Sequence, residues 1–149
     1  MIILSIWLGN VLARQAALHL PALRIPVPYP ILLGTGLVLL WGGVAFRLWA
    51  IRTLGRYFRG VVHLQEGHQV VSSGPYRSLR HPSYAGAVVA VLGISLIFAN
   101  IAALVAFVGC VLLGVVYRIR VEERVLLTGL GNEYAEYAAQ TKRLLPRVW

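Results

Sequence analysis

Four apolar stretches constrain this chain more than any other feature. They cover residues 2–13, with a helical continuation toward Leu20; residues 31–51, broken only by Arg47; residues 85–99; and residues 101–117. A helix crossing a bilayer needs roughly 20 residues, range 17–25, so the shorter stretches must borrow flanking residues. Asn100 alone separates the last two, which predicts a tight helical hairpin. Only 13% of the 149 residues are charged and 58% are hydrophobic, whereas a soluble domain carries about a quarter charged residues. The expectation is an all-α integral membrane protein of about four transmembrane helices. It forms a single domain over residues 1–149, with a motif-bearing core over 61–149.

Charge placement orients that bundle. Arg52, Arg56 and Arg59 follow the second stretch, Arg77 and Arg80 precede the third, and Arg118, Arg120 and Arg124 follow the fourth. With four spans these all lie on one face, and only Arg14 and Arg24 fall in the opposite loop, where Pro21, Pro26, Pro28 and Pro30 interrupt helix. The positive-inside rule places both termini and the long polar segments in the cytoplasm. The net charge of +9 then favours an anionic bilayer surface over nucleic acid. No basic region precedes the first apolar run and no small-residue cleavage site follows it, so a signal peptide is not expected. Cys110, the single cysteine, excludes an internal disulfide and any multi-cysteine metal site.

Small residues mark the packing faces. Ala102, Ala106, Cys110 and Gly114 recur every four residues in the fourth stretch, and Gly86 and Ala90 share that spacing in the third. Such stripes let backbones approach where lipid supplies no hydrophobic drive to associate. Arg47 is expected to snorkel to the interface, and His19 to sit there as well.

Chemistry belongs to the polar segments. Residues 53–83 hold Gly55, Gly60, Gly67 and Gly74, a density of breakers that predicts a loop. The loop carries His63, Glu66 and His68, then the run Gly74-Pro75-Tyr76-Arg77-Ser78-Leu79-Arg80-His81-Pro82-Ser83-Tyr84. Pro82 suits the first turn of a helix starting near Ser83, with Ser83 or His81 as its cap. In the second segment, residues 118–149, Arg118 and Glu122 stand four apart and share a helix face. Residues 133–137 read as a short amphipathic helix. His63 and His68 lack a third ligand with convincing spacing, so no metal site is expected.

These residues carry a resemblance. Gly74-Pro75-Tyr76, Arg80-His81-Pro82-Ser83-Tyr84 and Gly86 resemble the GPYxxxRHPxYxG signature of the isoprenylcysteine carboxyl methyltransferase family. Glu122-Glu123, Leu126, Gly131, Tyr134, Tyr137, Thr141, Arg143 and Pro146 resemble its second block, EExxL…GxxYxxYxxxTxRxxP. Leu130 departs from the phenylalanine common before that glycine. The resemblance implies a membrane enzyme that uses S-adenosylmethionine to methylate the carboxylate of an isoprenylated cysteine or a similar lipidic substrate. Its cofactor pocket would lie on the cytoplasmic side, between the loop before the third helix and the carboxy-terminal helices. By the same resemblance His63, His68, Gln69, Val70, Val71, Tyr76, His81, Pro82, Ser83, Tyr84 and Glu122 are the expected cofactor contacts, and Arg118 is the expected catalytic residue near the substrate carboxylate. Three alternatives stand beside it: a phospholipid N-methyltransferase, a membrane NADPH-dependent reductase of the sterol-reductase-like type, and a small four-helix transporter.

Overall fold

The computed structural model describes residues 2–55 and 70–144. Among them the regular structure is helical: α1 (Ile2–His19), α2 (Tyr29–Leu54), α3 (Pro82–Ile97), α4 (Ile101–Leu130) and α5 (Asn132–Gln140), with 3-10 turns at Pro21–Leu23 and Gly74–Arg77. Two of these, α2 with 26 residues and α4 with 30, are long and apolar enough to cross a membrane. The first stretch does continue helically, to His19. Pro30 begins α2 instead of breaking it, because a first-turn residue has no intrahelical partner for its N–H to lose.

α3 packs between α2 and α4, and α1 lies against α4. Glycine permits the α2–α3 approach. A Cβ on Gly43 would stand 2.5 Å from the Ala90 backbone nitrogen and 2.6 Å from the Gly86 carbonyl, while Gly36 and Gly93 oppose each other one heptad away. The expected role of Gly86 and Ala90 holds, and their partners are glycines of α2. Cys110 and Gly114 likewise face α1, at Gly9 and Ser5.

The interior of α4 is a single row: Ala103, Phe107, Val111, Val115, Ile119 and Glu123, all buried. Ala13, Val91 and Leu144 join it in the core. The outer faces are apolar too, with Trp7, Val38, Trp41 and Leu113 each more than 60% exposed. Apolar residues inside and out are what a bilayer-embedded helix requires.

At the end away from the signature loop, the α3–α4 turn is fastened to the α1–α2 loop. Asn100, 1% exposed, accepts a hydrogen bond from the Ala103 amide at 3.0 Å and donates to the Leu20 carbonyl at 2.8 Å. The Ile25 amide bonds the Ala99 carbonyl at 2.9 Å. The hairpin therefore returns the Arg118 end of α4 to the start of α3.

Candidate active site at the open end of the hairpin

The start of α3 and the polar end of α4 meet through Tyr84. Its hydroxyl donates to Glu122 Oε2 at 2.8 Å and lies within hydrogen-bonding reach of the Arg118 side chain. The two α4 residues expected to share a face therefore converge on one phenol from the signature. Tyr84 also stacks on His81, with ring centroids 5.8 Å apart.

Glu123 points elsewhere, because it continues the buried row of α4 one turn beyond Ile119. Its carboxylate accepts from Arg80 Nε at 3.0 Å and from Arg143 Nε at 2.9 Å, and faces His81 Nε2 at 3.4 Å. This residue lies past the apolar part of α4, which ends at Tyr117. Burial alone would raise its pKa, but the hydrogen bonds from His81 and Arg143 outweigh burial and hold it at about 2.

Arg80 spends the rest of its guanidinium on the end of α5, donating to the Ala138 carbonyl and, at 2.6 Å, to the Thr141 carbonyl. Carbonyls at a helix end have no intrahelical donor, so this cation acts as a cap. The segment after α5 then runs beside the signature loop. Lys142 donates its amide to the Ser78 carbonyl, while the Arg80 and His81 amides bond the Lys142 and Arg143 carbonyls. Tyr137 closes the assembly by donating to the Tyr76 carbonyl at 2.8 Å. Burial pushes its phenol up to about 12, and burial followed by the charge of Glu122 pushes that of Tyr76 up as well. Both stay protonated and neutral at ordinary pH.

Among the expected cofactor contacts, Tyr76, His81, Pro82 and Ser83 are buried, and Tyr84, Glu122, Val70 and Val71 are partly exposed. The Val70 amide donates to Glu133 of α5 at 3.1 Å. His63, His68 and Gln69 lie outside the described residues. Neither His81 nor Ser83 caps α3 by its side chain. His81 is turned to Glu123, and Ser83 receives Arg47, whose Nη1 bonds its carbonyl at 2.9 Å and its hydroxyl at 3.0 Å. Arg47 thus reaches inward to the start of α3 instead of snorkelling outward.

An apolar cavity of about 380 Å³ opens between α2 and α3, lined from the residues beside Arg47 and Tyr84 inward. Gly42, Phe46, Ala85 and Val89 line it, together with Leu79 and Leu144. The sequence marks Arg80 and Glu123 as motif residues without giving either a role in this centre, and it marks Arg47 only as an interfacial residue. The four-residue row from Ala103 could have revealed Glu123, since extending it by one step buries that carboxylate.

The architecture defines a helical membrane protein with a polar, aromatic centre at one bundle end and an apolar cavity between α2 and α3. The chain belongs to the isoprenylcysteine carboxyl methyltransferase (ICMT) family, whose sequence profile matches residues 35–128. It is 34% identical over 115 residues to a probable protein-S-isoprenylcysteine O-methyltransferase of Oryza sativa subsp. indica, covering 76% of this chain and 60% of that protein. It is 35% identical to protein-S-isoprenylcysteine O-methyltransferase A of Arabidopsis thaliana, covering 76% and 58%. The solved structure of the eukaryotic intramembrane Ras methyltransferase ICMT matches with a TM-score of 0.78 at 26% identity, over 98% of this chain and 52% of that one. The chain thus spans about 60% of the length of the plant relatives.

Proposed function

We propose that the protein transfers a methyl group from S-adenosylmethionine to the carboxylate of an isoprenylated cysteine or a similar lipidic acid, at the cytoplasmic end of a four-span bundle. The observation that carries this reading is the convergence of Arg118, Tyr84 and Glu122 at the start of α3, in a bundle that also holds an apolar cavity between α2 and α3, lined from Ala85, the residue after Tyr84. A polar head and a hydrocarbon tail on one substrate fit that pairing.

The residues present fit the cofactor. Glu122 can accept from hydroxyl or ammonium groups, and the faces of Tyr76 and Tyr84 suit a cation. A buried hydroxyl on Tyr134 also lacks a partner among the described residues. His81, Pro82 and Ser83 would form the wall that sets Tyr84, with Val70, Val71 and the adjoining His63, His68 and Gln69 completing the contacts. When bound, S-adenosylmethionine supplies an electrophilic methyl on sulfonium.

The acceptor carboxylate is already ionised, so the protein need supply no strong base. Arg118 would hold one carboxylate oxygen by a charge-assisted hydrogen bond and leave the other free. Tyr84, fixed by Glu122, limits where that guanidinium can sit. Positioning is then the main contribution to rate.

The test is calorimetric titration of S-adenosylmethionine into the purified protein in lipid, followed by transfer of labelled methyl to farnesylcysteine analogues. Glu122→Ala should weaken cofactor binding, and Arg118→Ala should chiefly reduce turnover. Absence of cofactor binding by the wild type overturns the methyltransferase reading. Binding with transfer only to an amine phospholipid would overturn the carboxylate assignment and Arg118's role.

A further inference from the structure

Tyr134 and Tyr137 stand three apart on α5, with ring centroids 6.1 Å apart, yet their hydroxyls have different fates. Tyr137 bonds the Tyr76 and Leu79 carbonyls. Tyr134 is 4% exposed, and its buried hydroxyl has no hydrogen-bond partner among the described residues. Phenylalanine would fill the same space without stranding a polar group, so packing does not explain the oxygen. Burial and then the charge of Glu123 push this phenol's pKa up, and Arg80 and Glu122 also act on it. The hydroxyl is therefore a neutral donor set among the charged groups of the site.

We propose that Tyr134 is a cofactor-binding residue whose hydroxyl bonds a ribose hydroxyl of S-adenosylmethionine. The inference rests on the cofactor reading above. The surroundings select the partner. An anionic carboxylate would meet the charges of Glu122 and Glu123, while Arg80 is occupied by Glu123 and the α5 carbonyls. An adenine ring nitrogen accepts from a phenol, but donation to a carboxylate has to come from a second atom, its amino group. A ribose hydroxyl accepts from tyrosine and can donate to glutamate.

The experiment is calorimetry with S-adenosylhomocysteine and its 2′-deoxy and 3′-deoxy counterparts, on wild type and Tyr134→Phe in the same lipid. Tyr134→Phe should weaken S-adenosylhomocysteine binding about five- to tenfold, the scale of one hydrogen bond. Without ligand it should melt at the wild-type temperature or above, since the stranded group is gone. One deoxy analogue should lose more affinity with wild type than with the variant, the difference being about the same five- to tenfold factor. Equal affinity of the two proteins for S-adenosylhomocysteine overturns the assignment, as do losses that simply multiply for both analogues. Absence of binding to wild type instead overturns the underlying cofactor reading.

Discussion

Glu123→Gln keeps the side chain's size and removes its charge from the centre of the Arg80–His81–Arg143 cluster. Its carboxylate side chain is 9% exposed and that of Arg80 10%, so the variant leaves a buried guanidinium without its counter-ion. Breaking a buried pair from one side costs about 3–5 kcal/mol. Arg143, at 36% exposed, is screened by solvent and adds little. The acidity of the carboxyl offers a second route to the magnitude. A fall from 4.5 to about 2, at about 1.4 kcal/mol per unit, corresponds to about 3 kcal/mol at neutral pH. Because the folded carboxyl is the more acidic, this contribution is complete above about pH 4.5 and is lost as the pH falls toward 2. The assay is thermal unfolding in detergent micelles at several pH values. At pH 7 the variant should melt about 6–12 °C below wild type. Wild type should lose stability as the pH falls from about 4.5 toward 2, and the variant should lack that component. A variant melting within about 2 °C of wild type, less than 1 kcal/mol on this scale, would refute the reasoning. So would a wild type whose midpoint is level across that acid range.

Gly43→Ala should destabilise by about 1–3 kcal/mol through overpacking, since its new methyl meets backbone of α3 at 2.5 Å. Gly42→Ala, with nothing within 4 Å of the added carbon, is the matched control and should melt as wild type. Asn100→Ala removes the cap on the Ala103 amide and takes one of two donors from the Leu20 carbonyl, so unfolding in micelles should show a loss of about 1–3 kcal/mol with the amount of helix unchanged. An unaltered melting temperature would contradict the fastening role given to that residue.

Much of the fold is legible because hydrocarbon imposes simple rules on composition. The α3–α4 hairpin, the break at Asn100 and the packing of Gly86 and Ala90 all follow from apolar runs and small-residue spacing. The boundaries are less legible, since Pro30 and Pro82 serve as helix starts and only their surroundings separate a start from a break. That Arg118 and Glu122 share a helix face was readable from periodicity, and that Tyr84 lies near them from the order of the two motif blocks. The place of Arg47 was not, because its partner Ser83 lies 36 residues away and one arginine near a span end looks like an interfacial anchor. Glu123 was hidden beside Glu122, as adjacent helical residues face directions about 100° apart. The stranded hydroxyl of Tyr134 has no sequence signature, because absence of a partner is a property of three-dimensional packing.

The hairpin also works as a ruler. Tyr84 and Glu122 meet across 38 positions of chain, nearly all of it helix and fastened at its bend by Asn100. Inserting one residue in either arm would advance everything beyond it by about 1.5 Å and rotate it by about 100°. Such a change would turn Glu122 away from Tyr84 and, when made within the α4 row, take Glu123 out of line with it. Substitutions along these arms can be absorbed locally, but a change of length displaces one half of the site against the other. The spacing between the two motif blocks is therefore as much a part of the site as the residues within them.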